Sequence, residues 1–179
     1  MLKLLHRAAF CVAIWLLATA AQAQAQEHNA AVLEGSTGRY SFTVRLAKRP
    51  FGKEGHKVKR IGEAQFEIDG KTEWRKSKVP DGSLKNWQGT DGGLPLTELS
   101  SFDVVVDGKR WPVPARLWRD CYNPNLGTDP KSPDLWAWLS KDGTRLTVKM
   151  WGGDGAGSYG VVWHLVRDGK HSRRILPAP

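Results

Sequence analysis

Cys121 and the histidines at 28, 56, 164 and 171 supply the residue types for a thiol nucleophile and its base, with Asp154 as an orienting carboxylate. Such chemistry needs a thiolate, and a thiolate needs a net positive field and access to substrate. Arg116 and Arg119 lie near Cys121 in sequence, but Asp120 adjoins it and opposes their field. Only His164 falls in a strongly patterned segment, Val161-Val162-Trp163-His164-Leu165-Val166, where its neighbours on one strand face are Val162 and Val166. That predicts an imidazole inside or at the rim of a core, bonded to a carbonyl, and a buried, inert thiol. We therefore expect no catalytic residue and no enzyme.

Asn123, Asn125, Asp129 and Asp134 place side-chain oxygens through one loop, the composition of a hard-cation site. An EF-hand needs Gly at the sixth position and a bidentate Glu at the twelfth, whereas here Gly127 falls at the fifth and Asp134 at the twelfth. No two His or Cys residues stand at zinc-ligand spacing on one element, so neither metal nor cofactor is expected. Gly155, Gly157 and Gly160 match the GxGxxG spacing of a pyrophosphate turn. A helix must follow to present its amides to phosphate, and Val161-Val162-Trp163 reads as strand, so these glycines are expected only to connect two strands.

Two other groups of residues point to binding. Lys48, Arg49, Lys53, Lys57, Lys59 and Arg60, with Arg45, stand against the single acid Glu54, and Pro50, Gly52 and Gly55 predict a loop between the first two strands. Several cations on one loop can converge on a phosphate or carboxylate cluster; the plain alternative is a solvated surface. Trp136 and Trp138 share one face of a strand whose other face carries Leu135, Ala137 and Leu139. If the aromatic face points out, rings about 7 Å apart along the strand can stack on sugars; if it points in, they are core.

The elements that must position these groups are strands. Tyr40, Phe42, Val44 and Leu46 alternate with polar residues at the period of a strand with one buried face. Ala64–Ile68 and Lys71–Arg75 flank Asp69-Gly70, and Phe102–Val106 and Lys109–Val113 flank Asp107-Gly108. Leu135–Ser140 and Arg145–Trp151 flank Asp142-Gly143, and Tyr159–Val166 and Lys170–Ile175 flank Asp168-Gly169. Asp-Gly between such arms predicts hairpins with type I′ turns, which need positive φ at both central residues. Pro112 and Pro114 confine their arm to an edge or to its end. Residues 76–93 and 123–134 read as surface loops, and Thr97–Ser101 offers at most one helical turn. The fold class is all-β, an antiparallel sandwich or partly open barrel built from Asp-Gly hairpins.

The chain begins with Lys3 and Arg7, an apolar run from Ala8 to Ala21 and then Ala-Gln-Ala-Gln-Ala, the pattern of a cleaved export signal. We expect residues 1–25 to be removed, 26–38 to form a flexible leader and 39–179 to be one β domain. Loss of Lys3 and Arg7 leaves 25 Lys and Arg against 18 Asp and Glu, a net charge of +7. The expected setting is periplasmic or secreted, without a transmembrane segment, and the acidic partners available there are envelope phosphates and acidic polymers rather than nucleic acid. Cys121, alone after cleavage, has no internal disulfide partner. The expected function is that of a monomeric, noncatalytic domain docking onto an anionic envelope component through the basic segment. The alternative is a carbohydrate-binding module using Trp136 and Trp138.

Overall fold

The computed structural model describes residues 29–73, 86–129, 131, 133–153 and 155–177. The expected export signal, the Trp74-Arg75 end of one hairpin arm and Asp154 lie outside them. Among the described residues twelve strands follow in chain order: β1 (Ala30–Thr37), β2 (Tyr40–Pro50), β3 (Val58–Arg60), β4 (Phe66–Ile68), β5 (Lys71–Glu73), β6 (Asn86–Trp87), β7 (Thr97–Val106), β8 (Lys109–Arg110), β9 (Leu135–Leu139), β10 (Arg145–Gly152), β11 (Tyr159–Val166) and β12 (Ser172–Pro177). Helical structure among the described residues is limited to three-residue 3-10 turns. None of it is a helix long and apolar enough to cross a membrane.

Two antiparallel four-stranded sheets, in the orders β1-β2-β7-β8 and β12-β11-β10-β9, face each other across one core. Alternation decides which side chains enter it. Phe42, Val44 and Leu46 of β2 and Phe102, Val104 and Val106 of β7 are buried from one side. Leu146, Val148 and Met150 of β10 meet them with Val161, Trp163 and Leu165 of β11. The Phe102 and Trp163 rings touch edge-to-face across the gap, 4.9 Å between centroids. Buried aromatic rings also need partners for their polar ends. Trp163 Nε1 donates to the Leu117 carbonyl at 2.7 Å, and the Tyr159 hydroxyl donates to the Tyr122 carbonyl at 3.0 Å. The all-β class is therefore as the apolar spacing requires.

Three local expectations are corrected. Ala30–Thr37, expected in a leader, pairs along its whole length with β2 and buries Ala31; apolar alternation through Ala31 and Leu33 was hidden by small residues around it. Thr97–Ser101, expected as a helical turn, opens the longest strand of its sheet after β2, because pairing with β2 satisfies its backbone. Within the expected 76–93 loop, Asn86–Trp87 forms β6 and Trp87 is buried. The four Asp-Gly hairpins all form. Only Asp69 and Asp107 have positive φ (52° and 47°), so two turns are type I′. At Asp142 and Asp168 the carboxylate instead accepts from the amide two residues on, at 3.1 and 3.0 Å, which closes a longer turn.

A smaller sheet, β3-β4-β5-β6, extends from the end of β2, with β5 and β6 parallel. Its own core is Ile68, Trp87 and Tyr122, with Phe51 and Leu94 packed against it. A bulge between β2 and β7 shifts the register at Ala47/Lys48. As a result Glu98 and Leu99 are both buried, and Glu98 is aimed toward this second core.

Candidate functional site

The outer face of the β9–β12 sheet follows from its register. Trp136 lies opposite Lys149, Lys149 opposite Val162, and Val162 opposite Arg174; Trp138 lies opposite Thr147, Thr147 opposite His164, and His164 opposite Ser172. Leu135 and Leu139 are buried, so the alternative of an inward aromatic face is excluded and Trp138 stands 49% exposed. The Lys149 ammonium lies 4.6 Å from the ring centres of both Trp136 and Trp151. Trp151 lies flat because its cross-strand neighbour is Gly160, where an added Cβ would come within 2.7 Å of the indole. Arg145, Lys149 and Arg174 give this face its charge, and none of its strand positions carries a carboxylate. A face of three indoles and three cations can stack on flat apolar ring faces while attracting anions. Trp151 and Gly160 were missed in the sequence; the shared parity of Trp151 with Lys149 on one strand was the available signal.

The basic segment does not form one loop. Lys48 and Arg49 end β2, Lys53 opens a 3-10 turn, and Lys59 and Arg60 belong to β3. Lys48 Nζ donates to the Pro124 carbonyl at 3.4 Å, and Arg49 Nε to Glu98 Oε1 at 2.6 Å. Arg60 donates to the Gly62 and Glu63 carbonyls at 3.0 and 2.5 Å. Lys53, Lys57 and Lys59 are exposed, with Lys59 opposite Glu67 in the sheet. Three of the six cations thus direct donors at the protein itself, and the other three are exposed.

Beside that segment lies a polar chain the sequence did not disclose. His56 is held between two carboxylates, Nδ1 at 2.7 Å from Asp69 Oδ2 and Nε2 at 2.6 Å from Glu98 Oε2, while Arg49 takes the other oxygen of Glu98. Burial works against the charged imidazole, but the hydrogen bonds and charges of Asp69 and Glu98 outweigh it and raise the His56 pKa. Burial likewise works against ionised Asp69, but its hydrogen bonds from the His56 ring and from the Lys57 amide outweigh it, leaving its pKa lowered. The ring of His56 stacks on Phe51 at 4.9 Å. A cleft of about 200 Å3 opens here, lined by Arg49, His56, Glu98, Ser100, Trp118 and Arg119. These partners lie 13 and 42 residues from His56, so no local spacing could reveal them.

The nucleophile candidates are not assembled. Cys121 is fully buried, and burial pushes its thiol up to about 12, with Arg173 opposing that shift. His164 lies on the opposite face of its strand from the core, with Nδ1 3.3 Å from the Thr147 hydroxyl oxygen; this corrects the expectation of a ring inside or at the rim of the core bonded to a carbonyl. In the 123–134 loop, Asn123 Oδ1 accepts from the Leu96 and Thr97 amides and so ties the loop to the start of β7, and Asp129 Oδ1 accepts from the Lys131 amide and closes a local turn. Among the described residues no cluster of three metal-ligating side chains occurs. Gly157 packs against the Thr90 backbone, where a Cβ would meet carbon at 2.2 Å; close approach is its role. Comparison with protein-family models, curated proteins and solved structures finds no match.

Proposed function

We propose that the protein is a noncatalytic binding module for an acidic glycan of the cell envelope, taken on the outer face of β9–β12. The observation that carries this reading is the exposed Trp138 beside the Trp136–Lys149–Trp151 stack. Sugar rings have an apolar face that covers an indole, and their carboxylates or phosphates are drawn to Lys149, Arg174 and Arg145. Indoles fixed by a strand, by a cross-strand Lys and by Gly160 bind without losing much side-chain freedom. An export-directed chain would meet such polymers in the envelope.

The exposed Lys53, Lys57 and Lys59 favour a second, purely electrostatic contact with an anionic surface. The two readings separate by salt and by side chain. Fluorescence titration with oligogalacturonate, an acidic glycan, and with a neutral cello-oligosaccharide is the test. Trp138→Ala should weaken oligogalacturonate binding by about tenfold or more, and Lys149→Gln should flatten its salt dependence. Gly160→Ala should displace the Trp151 ring and weaken binding with little loss of stability. Retention of oligogalacturonate that is indifferent to Trp138 and Lys149 but lost when Lys53, Lys57 and Lys59 become Gln would replace this reading with the electrostatic one.

A further inference from the structure

Four hairpins end at the same end of the two facing sheets. The β1–β2 turn (Gly38-Arg39) and the β7–β8 turn (Asp107-Gly108) are tied by Asp107 Oδ1, which accepts the Ser41 amide at 2.8 Å. The β9–β10 turn meets them where Gly143 sits on the Tyr40 ring, so closely that a Cβ there would come within 2.6 Å. The β11–β12 turn is joined to it by Arg167, which donates to the Gly143 carbonyl at 3.0 Å. Between these turns lies a cleft of about 250 Å3 lined by Arg39, Tyr40, Asp107, Lys109, Trp111 and Arg167.

We infer that this cleft is a second ligand site, distinct from the outer face of β9–β12, that takes a phosphomonoester carried on a single sugar-sized ring. Charge selects the anion. Three cations from three different hairpins line the cleft with one acid, Asp107, whose carboxylate already accepts a backbone amide, leaving an excess of two positive charges among the described lining residues. A phosphomonoester carries about −1.5 to −2 near neutral pH and offers three acceptor oxygens, whereas a carboxylate carries one charge and two oxygens. Arg39 is already placed: its guanidinium lies 5.0 Å over the Tyr40 ring and donates to the Tyr40 hydroxyl at 3.0 Å, so most of its donors remain for a ligand. Size and walls select the rest of the molecule. Pockets for drug-sized ligands run from roughly 300 Å3 upward, so this smaller cleft suits one ring with its phosphate, walled by the half-buried Tyr40 and by the part of the largely buried Trp111 that reaches it.

The phosphorylated ring can belong to a free sugar phosphate or to a phosphosugar lipid headgroup. NMR titration of the full chain with glucose 6-phosphate, inorganic phosphate and glucose tests the site. Saturable shifts should appear at the Trp111 indole and at the Arg39, Lys109 and Arg167 amides. Glucose 6-phosphate should bind about tenfold or more tighter than either fragment. Arg39→Gln and Lys109→Gln, both at exposed positions, should each weaken it about tenfold with the remaining spectrum unchanged. Retention on lipid A vesicles that glucose 6-phosphate competes away would assign the ring to a lipid headgroup, and binding of the free sugar phosphate without vesicle retention would assign it to a soluble ligand. Glucose 6-phosphate binding no tighter than inorganic phosphate, shifts away from this cleft, or unchanged affinity in both variants would overturn the inference.

Discussion

At the residue scale, the firmest structural charge pair is Asp120 with Arg173. The Arg173 side chain is 1% exposed and forks onto both oxygens of Asp120, and Lys71 Nζ adds a contact at 2.6 Å. Removing one partner strands a buried charge, so Asp120→Ala should cost about 3–5 kcal/mol, read as a lower denaturation midpoint. Cys121 sits beside this pair, with Arg173 Nη1 at 3.5 Å from its sulfur. Burial holds the thiol protonated, so iodoacetamide should not label the native protein between pH 7 and 9. Cys121→Ala should then leave binding intact. Rapid labelling of the native protein would contradict the burial and restore a reactive thiol. His164 lies on the outer face, so His164→Ala removes one hydroxyl contact and should cost only about 1 kcal/mol, well below Asp120→Ala in the same melt.

At the element scale, the β2–β7 bulge and the small sheet together create the His56 chain. The bulge buries Glu98, 4% exposed at its side chain, and the type I′ turn at Asp69-Gly70 presents the second carboxylate. The His56 pKa is raised on folding. Its contribution to stability is therefore complete below about 6.5, the unfolded value, and is lost as pH rises through the higher folded value. Asp69 works in the other direction, its contribution being lost as pH falls below the ordinary carboxylate range. The melting temperature should accordingly decline from pH 6 toward pH 9, and His56→Gln should remove that decline. A wild-type melting temperature that is flat over this range would show that the imidazole is not charged in the fold. The small-sheet resonances should respond first, since this is where His56 ties β3, β4 and β7 together.

At the scale of the whole molecule, the edges of the sheets decide what can be removed. β1 covers one edge of β2 with a full antiparallel ladder, and Thr37 Oγ1 reaches across to the Leu139 carbonyl of β9 at 3.0 Å. Starting the chain at Arg39 would expose the β2 edge and unseat this junction between the sheets. That truncation should lower the melting temperature by about 2–4 °C per kcal/mol lost and increase association through the bare edge, as light scattering would report. A chain starting at Asn29, which keeps β1, is the reference for that comparison. Equal melting of the two truncations would mean that β1 adds nothing to the domain.

The apolar alternation of β2, β7, β10 and β11 and the Asp-Gly turns were sufficient, within the sequence, to set the class of fold, because period-two burial and left-handed turns are local properties of a few neighbouring residues. They also placed Trp136 and Trp138 on a common face. Which face points outward was a tertiary decision: Leu135 and Leu139 enter the core with the β10 and β11 side chains, and that pairing turns the indoles toward solvent. The strand nature of Ala30–Thr37 and Thr97–Ser101 was set by partners far along the chain, which supply the ladder that local propensity does not. The cations of the basic segment are close in sequence, which gives proximity without direction; the donors of Lys48, Arg49 and Arg60 are directed by Pro124, Glu98 and local carbonyls, while Lys53, Lys57 and Lys59 stay exposed. His56 with Glu98 and Asp69, and Arg39 with Lys109 and Arg167, gather only when hairpins distant in sequence meet, since charge recognises distance in space and the chain order carries no record of it.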